Sequence, residues 1–146
     1  MLILEIIALL SCSLFAGAAI YINIAEHPAR LECGTELAAS VFGPSYRRAA
    51  AMQASLALIA TISGLAVATT AGSYLWYLGS ALIFSVVPFT FIAIMPTNKQ
   101  LLDLERDRAS DDTLKLLRKW GRLHAVRSGL SIVSAILFSY AAIAAT

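Results

Sequence analysis

The sequence predicts an all-α integral membrane protein, a four-helix bundle whose polar loops carry short amphipathic helices, on three observations. Hydrophobic residues make up 59% of the 146 residues and charged residues 14%, against roughly 25% charged in an average soluble domain. Mean hydropathy is +0.77. Four apolar stretches, at about 2–24, 49–70, 73–95 and 123–145, each supply the roughly 20 residues with which a helix crosses about 30 Å of hydrocarbon. Together these exclude an ordinary water-soluble domain. No internal repeat or low-complexity linker divides the chain, so residues 1–146 read as a single four-span domain.

The first span opens Met1-Leu2-Ile3-Leu4-Glu5. A cleavable signal needs a basic leader, so this span reads as a retained helix. The faint lipoprotein-like step Leu9-Leu10-Ser11-Cys12 fails on the same ground. Glu5 is placed at the outer end, within reach of water. Pro28 disfavours helical geometry at His27, which sets Glu26 and His27 at the mouth of the bundle, with Asn23 a turn earlier on the same side. Residues 25–48 then form a polar loop.

The second and third spans meet at the tight turn Ala71-Gly72-Ser73. Tyr74, Trp76 and Tyr77 follow as an outer aromatic belt, and Pro88 is a candidate kink. Pro96 ends the third span, and Thr97-Asn98-Lys99-Gln100 has the T-x-x-Q form of a capping box. The short helix it predicts carries Leu101, Leu102 and Leu104 on an apolar side and Asp103, Glu105, Arg106, Asp107 and Arg108 on a solvated one. Ser110-Asp111-Asp112 offers caps for the next helix. There Leu114, Leu117, Gly121, His124 and Arg127 recur at helical spacing and lead into the last span, with Gly121 a candidate hinge.

Lys and Arg set the expected orientation, because cytoplasmic loops retain them. Arg30, Arg47 and Arg48 lie in the first polar stretch; Lys99, Arg106, Arg108, Lys115, Arg118, Lys119 and Arg122 lie in the second. The chain ends and the 71–73 turn have none. Both polar loops are therefore expected in the cytoplasm and both termini outside, in a plasma membrane of bacterial type. The net charge of +2 does not signal nucleic acid, since these cations are not interleaved with aromatics. Cys12 and Cys33 are expected at different membrane depths and form no disulfide framework.

Small residues mark the helix faces that pack on other helices in a membrane. On the second span Gln53, Ala57, Ala60, Gly64 and Ala68 share such a stripe; on the last, His124, Arg127, Ser131, Ala135 and Ser139 do nearly the same. Gln53 and Arg127 are thus expected to point inward at a common depth, roughly 6–8 Å inside the boundary. Trp120, His124 and Arg127 have i, i+4, i+7 spacing and line one face, while Glu26, His27 and Asn98 flank that end of the bundle. Glu26 is the expected partner of Arg127. Taken singly, each has an ordinary reading: a snorkelling Arg, a belt Trp, a His capping a carbonyl. As a set they point to a pocket, because an ionisable residue inside a membrane usually faces a partner or cavity.

No nucleotide-binding, P-loop or zinc-protease motif is present. A metal ion held by His27, His124 and Glu26 stays open as an alternative, without an H-x-x-x-H spacing behind it.

Glu26-His27-Pro28 after the first span, Met95-Pro96-Thr97-Asn98-Lys99 after the third, and Trp120-Gly121-Arg122-Leu123-His124-Ala125-Val126-Arg127 opening the fourth resemble the anthrone-oxygenase-like family of small four-span membrane proteins. The resemblance covers essentially the whole chain, and the W-G-x-x-H-x-x-R segment with the preceding P-T-N-K is its most specific part. It implies oxidation of a tricyclic anthrone by O2 to an anthraquinone, without an established nicotinamide or flavin.

In that reaction a base removes a proton from the acidic methylene, and the electron-rich enolate reduces O2. His124 is the expected base with His27 second; Arg127 and Asn98 are placed to stabilise the enolate oxygen. Trp120, Gln53, Glu26 and Asn23 are the expected substrate-binding residues, Trp120 by stacking and Gln53 by orienting a ring hydroxyl. The expected partners are lipid, a small hydrophobic substrate and O2, with a homo-oligomer compatible. Two other readings stand beside this one. One is a non-enzymatic binding or carrier protein for a hydrophobic anionic metabolite, suited to an inward Arg127. The other is a structural subunit of a larger membrane complex, docked through residues 97–122.

Overall fold

The computed structural model describes residues 1–144. Among them the regular secondary structure is all helical: α1 (Leu2–Tyr21), a π-helical turn (Ile22–Glu26), α2 (His27–Glu32), α3 (Thr35–Ala71), α4 (Tyr74–Phe89), a second π turn (Thr90–Ile94), α5 (Met95–Leu101) and α6 (Asp111–Ala144). Four continuous helical stretches, Leu2–Glu32, Thr35–Ala71, Tyr74–Leu101 and Asp111–Ala144, are long and apolar enough to cross a membrane. The protein is a membrane protein of the all-α class. The expected end of the last span at Ala145 lies just outside the described residues.

The four stretches alternate in direction, with α1 packed on α3 and α6 and α4 packed on the same two. Small residues make the close approaches, as lipid offers no hydrophobic force to drive helices together. Phe138 of α6 lies between Gly64 of α3 and Gly79 of α4, where a methyl group on either glycine would come within 2.7 Å of its ring. Trp76 stacks on the same ring at 4.7 Å and is 2% exposed. It is therefore a core residue, contrary to its expected place in an outer belt; Tyr74 and Tyr77, both exposed, keep that place. A second cluster joins Ile22, Phe42, Ile94, Leu117 and Trp120 at the charged end of the bundle.

At that end the structure departs from the sequence reading. Residues 25–48 are helical except at Cys33 and Gly34, where Gly34 at φ 97° lets the chain reverse. α3 begins at Thr35, runs through Pro44 and has 37 residues, about 55 Å at 1.5 Å per residue. His27 keeps helical angles despite Pro28. The π turn explains this: His27 N–H bonds to Ile22 O, five residues back, and the widened turn makes room for a proline ring that would clash with the carbonyl of Ile24. The same device precedes Pro96, where Met95 N–H bonds to Thr90 O. Pro88 lies inside α4 without ending it.

The expected capping box at Thr97 does not form, because α5 already starts at Met95 and the Thr97 hydroxyl is buried without a partner. The helix expected beyond it stops at Leu101. Asp103 Oδ1 accepts from Glu105 N–H at 3.1 Å and Asp107 Oδ1 from Ala109 N–H at 2.9 Å, so aspartates compete for the backbone and turn the chain. Leu104, expected on an apolar face, is exposed. Ser110 does cap α6, accepting from Thr113 N–H at 3.2 Å. α6 continues unbroken through Gly121, which is no hinge but a point of contact: a methyl group there would lie 2.7 Å from His27 Cδ2.

Candidate active site

The inward face of α6 repeats at 3.5 residues. Leu117, Trp120, His124, Ser131, Ser134, Phe138 and Ala141 are buried, and Arg127 completes the series. That period, characteristic of helices that wind about one another, differs from the four-residue step that had grouped Ala135 and Ser139 with them. Ser139 is exposed and Ala135 half-buried. On α3 the expected stripe of Gln53, Ala57, Ala60, Gly64 and Ala68 is buried throughout.

His124 is 1% exposed. Its Nδ1 lies 2.8 Å from Asn23 Oδ1. Asn23 Nδ2 donates to Gly121 O at 2.9 Å, and a carbonyl only accepts, so the Asn23 amide has one orientation and its Oδ1 is an acceptor. Ser128 Oγ donates to that Oδ1 at 2.6 Å. His124 must then carry its proton on Nδ1, and Nε2 is left as the basic nitrogen. Trp120 stacks on the imidazole at 4.8 Å and locks the ring from one face.

His124, Arg127, Gln53 and Trp120 line a cavity of about 20 Å³, room for about one water molecule. Arg127 Nη2 donates to Gln53 Oε1 at 2.9 Å, and its guanidinium lies over the Phe15 ring at 5.4 Å. Among the described residues no carboxylate pairs with Arg127. The expected Glu26–Arg127 pair is not formed: Glu26 is bound by Arg30 and by Ser45 Oγ, the latter at 2.6 Å. Those two side chains sit one helical turn apart or on the neighbouring helix, whereas Arg127 lies deeper in the bundle. Tyr46, Ala50, Gln53 and Arg127 are shared with a larger adjoining cavity of about 140 Å³.

Two other expected site residues, His27 and Asn98, stand outside that cavity. His27 Nε2 lies 3.0 Å from Leu117 O, so it donates there and its buried Nδ1 has no partner. It packs 5.1 Å from Trp120 and borders a groove beside Gly121, outside the cavity that His124 lines. Asn98 is fully buried with neither amide atom bonded and is not in that cavity wall. Trp120, in the cavity wall, is packed by His124, His27 and Phe42, the last in T-shaped contact at 5.3 Å. Among the described residues no three His, Cys, Asp or Glu side chains converge as a metal would need; His27, His124 and Glu26 each face a different partner.

Residues not singled out from the sequence complete the wall. Phe42 and Tyr46, stacked at 5.8 Å, have the i, i+4 spacing of one helix face, a signal hidden by treating residues 25–48 as a loop. Ser128 had no such signal, because its role depends on where Asn23 comes to rest.

The family model described as anthrone oxygenase matches residues 42–137. The chain belongs to the anthrone oxygenase family. The match takes in Gln53, Asn98, Trp120, His124 and Arg127. The chain is also similar to anthrone oxygenase tpcL of Aspergillus fumigatus, with 27% identity over 146 residues, covering 93% of this chain and 91% of that relative. No solved structure matches it. The wall of the small cavity holds the Asn23-oriented imidazole of His124 and two guanidinium groups, those of Arg127 and Arg30.

Proposed function

We propose that the protein is a membrane-embedded oxygenase that uses O2 to oxidise a small hydrophobic aromatic substrate of the anthrone type, at the charged end of the bundle. The observation that carries this reading is the Asn23-oriented His124, with Nε2 free beside a cavity that also holds Arg127. The Lys and Arg distribution supports a cytoplasmic position for that end, with both termini outside, in a plasma membrane.

In this mechanism His124 Nε2 takes a proton from the methylene carbon of the substrate, and the electron pair moves through the ring to the carbonyl oxygen. Arg127 stabilises that enolate oxygen in surroundings where a cation is worth far more than in water. The carbanionic carbon gives its electrons to O2 and forms a C–O bond, leaving a hydroperoxide once a proton is returned. Loss of the second hydrogen as a proton, with O–O cleavage, yields the new carbonyl and water. Anthrone and O2 thus become anthraquinone and one water, a four-electron oxidation of carbon matched by four-electron reduction of O2. The small cavity has room for about one O2-sized molecule beside His124 and Arg127, and the rings of the substrate are assigned to the larger cavity that adjoins it at Tyr46 and Gln53.

Anthrone consumption and O2 uptake by the purified protein in nanodiscs test this, beside a folded His124→Ala variant and a chelator-treated sample. A fall of about 10²-fold or more is expected in the variant; unchanged turnover removes His124 from the base role. Loss of activity on chelation transfers the O2 step to a metal. Tight binding without turnover favours a carrier of hydrophobic anions, the reading that Arg127, hydrogen-bonded to neutral Gln53 and paired with no carboxylate among the described residues, supports second.

A further inference from the structure

The 140 Å³ cavity has a floor and a rim of different character. Phe15, Gln53, Ala57 and Val86 are at most 1% exposed and form its floor, whereas Phe91 on the second π turn is 64% exposed and Ala54 of α3 is exposed as well. The cavity therefore opens sideways between α3 and the lower part of the α4 stretch. Around a membrane-spanning bundle, that side faces lipid. Ala50, Ala54 and Ala57 follow one another at i, i+4, i+7 on α3, so that methyl groups stand where larger side chains would close the gap.

Two side chains in the wall of this space, Gln53 and Arg127, tie it to the neighbouring small cavity. Gln53 is 1% exposed, gives its Oε1 to Arg127, and leaves Nε2 buried with no partner. Gln53 also belongs to the wall of the small cavity beside His124, so the two spaces meet at this side chain.

We propose that this chamber is the seat of the unreacted rings of the substrate, and that the substrate enters it laterally from the bilayer between Ala54 and Phe91. Its ligand class is a flat polycyclic molecule whose apolar rings lie against Phe15, Ala57, Val86 and Phe91. The inference rests on the oxygenase reading for the identity of the ligand, but the chamber and its portal make their own claim about binding.

Ala54→Phe narrows the portal, and Leu58→Phe, one turn further along the same exposed face, is the control. In nanodiscs, two quantities are read for each protein: kcat and KM for anthrone with O2, and anaerobic equilibrium binding of 9,10-anthraquinone followed by quenching of tryptophan fluorescence. Ala54→Phe is expected to raise KM and the anthraquinone Kd at least tenfold, with kcat little changed and Leu58→Phe behaving as wild type. Turnover in the wild type with Ala54→Phe equally fast and equally tight overturns the chamber and leaves the oxygenase reading intact. Anthraquinone binding that Ala54→Phe weakens, in a wild type with no turnover, upholds the chamber and removes the oxygenase reading. Equal losses in Leu58→Phe overturn the assignment of the portal.

Discussion

Asn23 Oδ1 and His124 Nδ1 meet at 2.8 Å across 101 residues of chain, joining a π turn at the end of the first span to the start of the fourth. Because the Asn23 amide is anchored on Gly121 O, it holds one imidazole tautomer and aims the other nitrogen. Asn23→Leu is expected to lower kcat by roughly tenfold to 10²-fold, the order of a misoriented general base, with substrate binding little affected. Steady-state kinetics in nanodiscs, with anthraquinone binding as the companion measurement, separate these two effects. Loss of binding with kcat retained would assign Asn23 to the pocket wall instead.

Arg127 is an inward cation with no acidic partner among the described residues, poised for an oxygen that becomes negative only during reaction. Arg127→Leu is expected to reduce kcat by about 10²- to 10³-fold. Arg127→Lys keeps the charge but loses the planar contact with Gln53 and Phe15, and falls between the two. Equal activity of all three proteins would take Arg127 out of the mechanism.

Gly121 leaves the space on α6 that the His27 ring occupies. Gly121→Ala forces its methyl to within 2.7 Å of His27 Cδ2 and is expected to cost about 1–3 kcal/mol, as overpacking does. The double variant Gly121→Ala with His27→Ala should recover part of that loss. Unfolding midpoints in detergent measure both, and additive losses would show that the two residues do not meet.

Gly79 and Phe138 make the equivalent test at the opposite end of the bundle. Gly79→Ala places a methyl about 2.6 Å from Phe138 Cε1, and a loss of about 1–3 kcal/mol is expected. Phe138→Leu in the Gly79→Ala background should relieve it. A stable Gly79→Ala protein with unchanged unfolding would mean that α4 and α6 are not packed this closely.

Cys33 is exposed and Cys12 is buried. A membrane-impermeant maleimide is expected to modify Cys33 in inverted vesicles and not in right-side-out vesicles, and to leave Cys12 unmodified until the protein is unfolded. Labelling of Cys33 from the outer face would reverse the orientation expected from the Lys and Arg residues.

Much of the inner face was readable before folding. Gln53 and Arg127 were expected to point inward at one depth, and they bond to each other. Pro28 and Pro96 misled, because the rule that proline ends a helix assumes α geometry; a π turn absorbs the ring and lets each helix continue. That continuation brings Glu26 within one turn of Arg30, so the acid is satisfied on its own helix and never reaches Arg127. Trp76 looked like a belt residue because it sits between two tyrosines, yet the gap left by Gly79 and Gly64 draws Phe138 in, and Trp76 stacks on it.

The sequence by itself determined that this is a membrane protein of four helices with its charge at one end, because hydropathy and helix length act residue by residue and need no partner. It determined which face of α3 turns inward for the same local reason. Only the tertiary structure decided which polar groups are joined. A hydrogen bond is made or lost over less than an ångström, and whether Asn23 reaches His124 or Glu26 reaches Arg127 depends on two π turns and on glycine contacts that lie far apart in the chain.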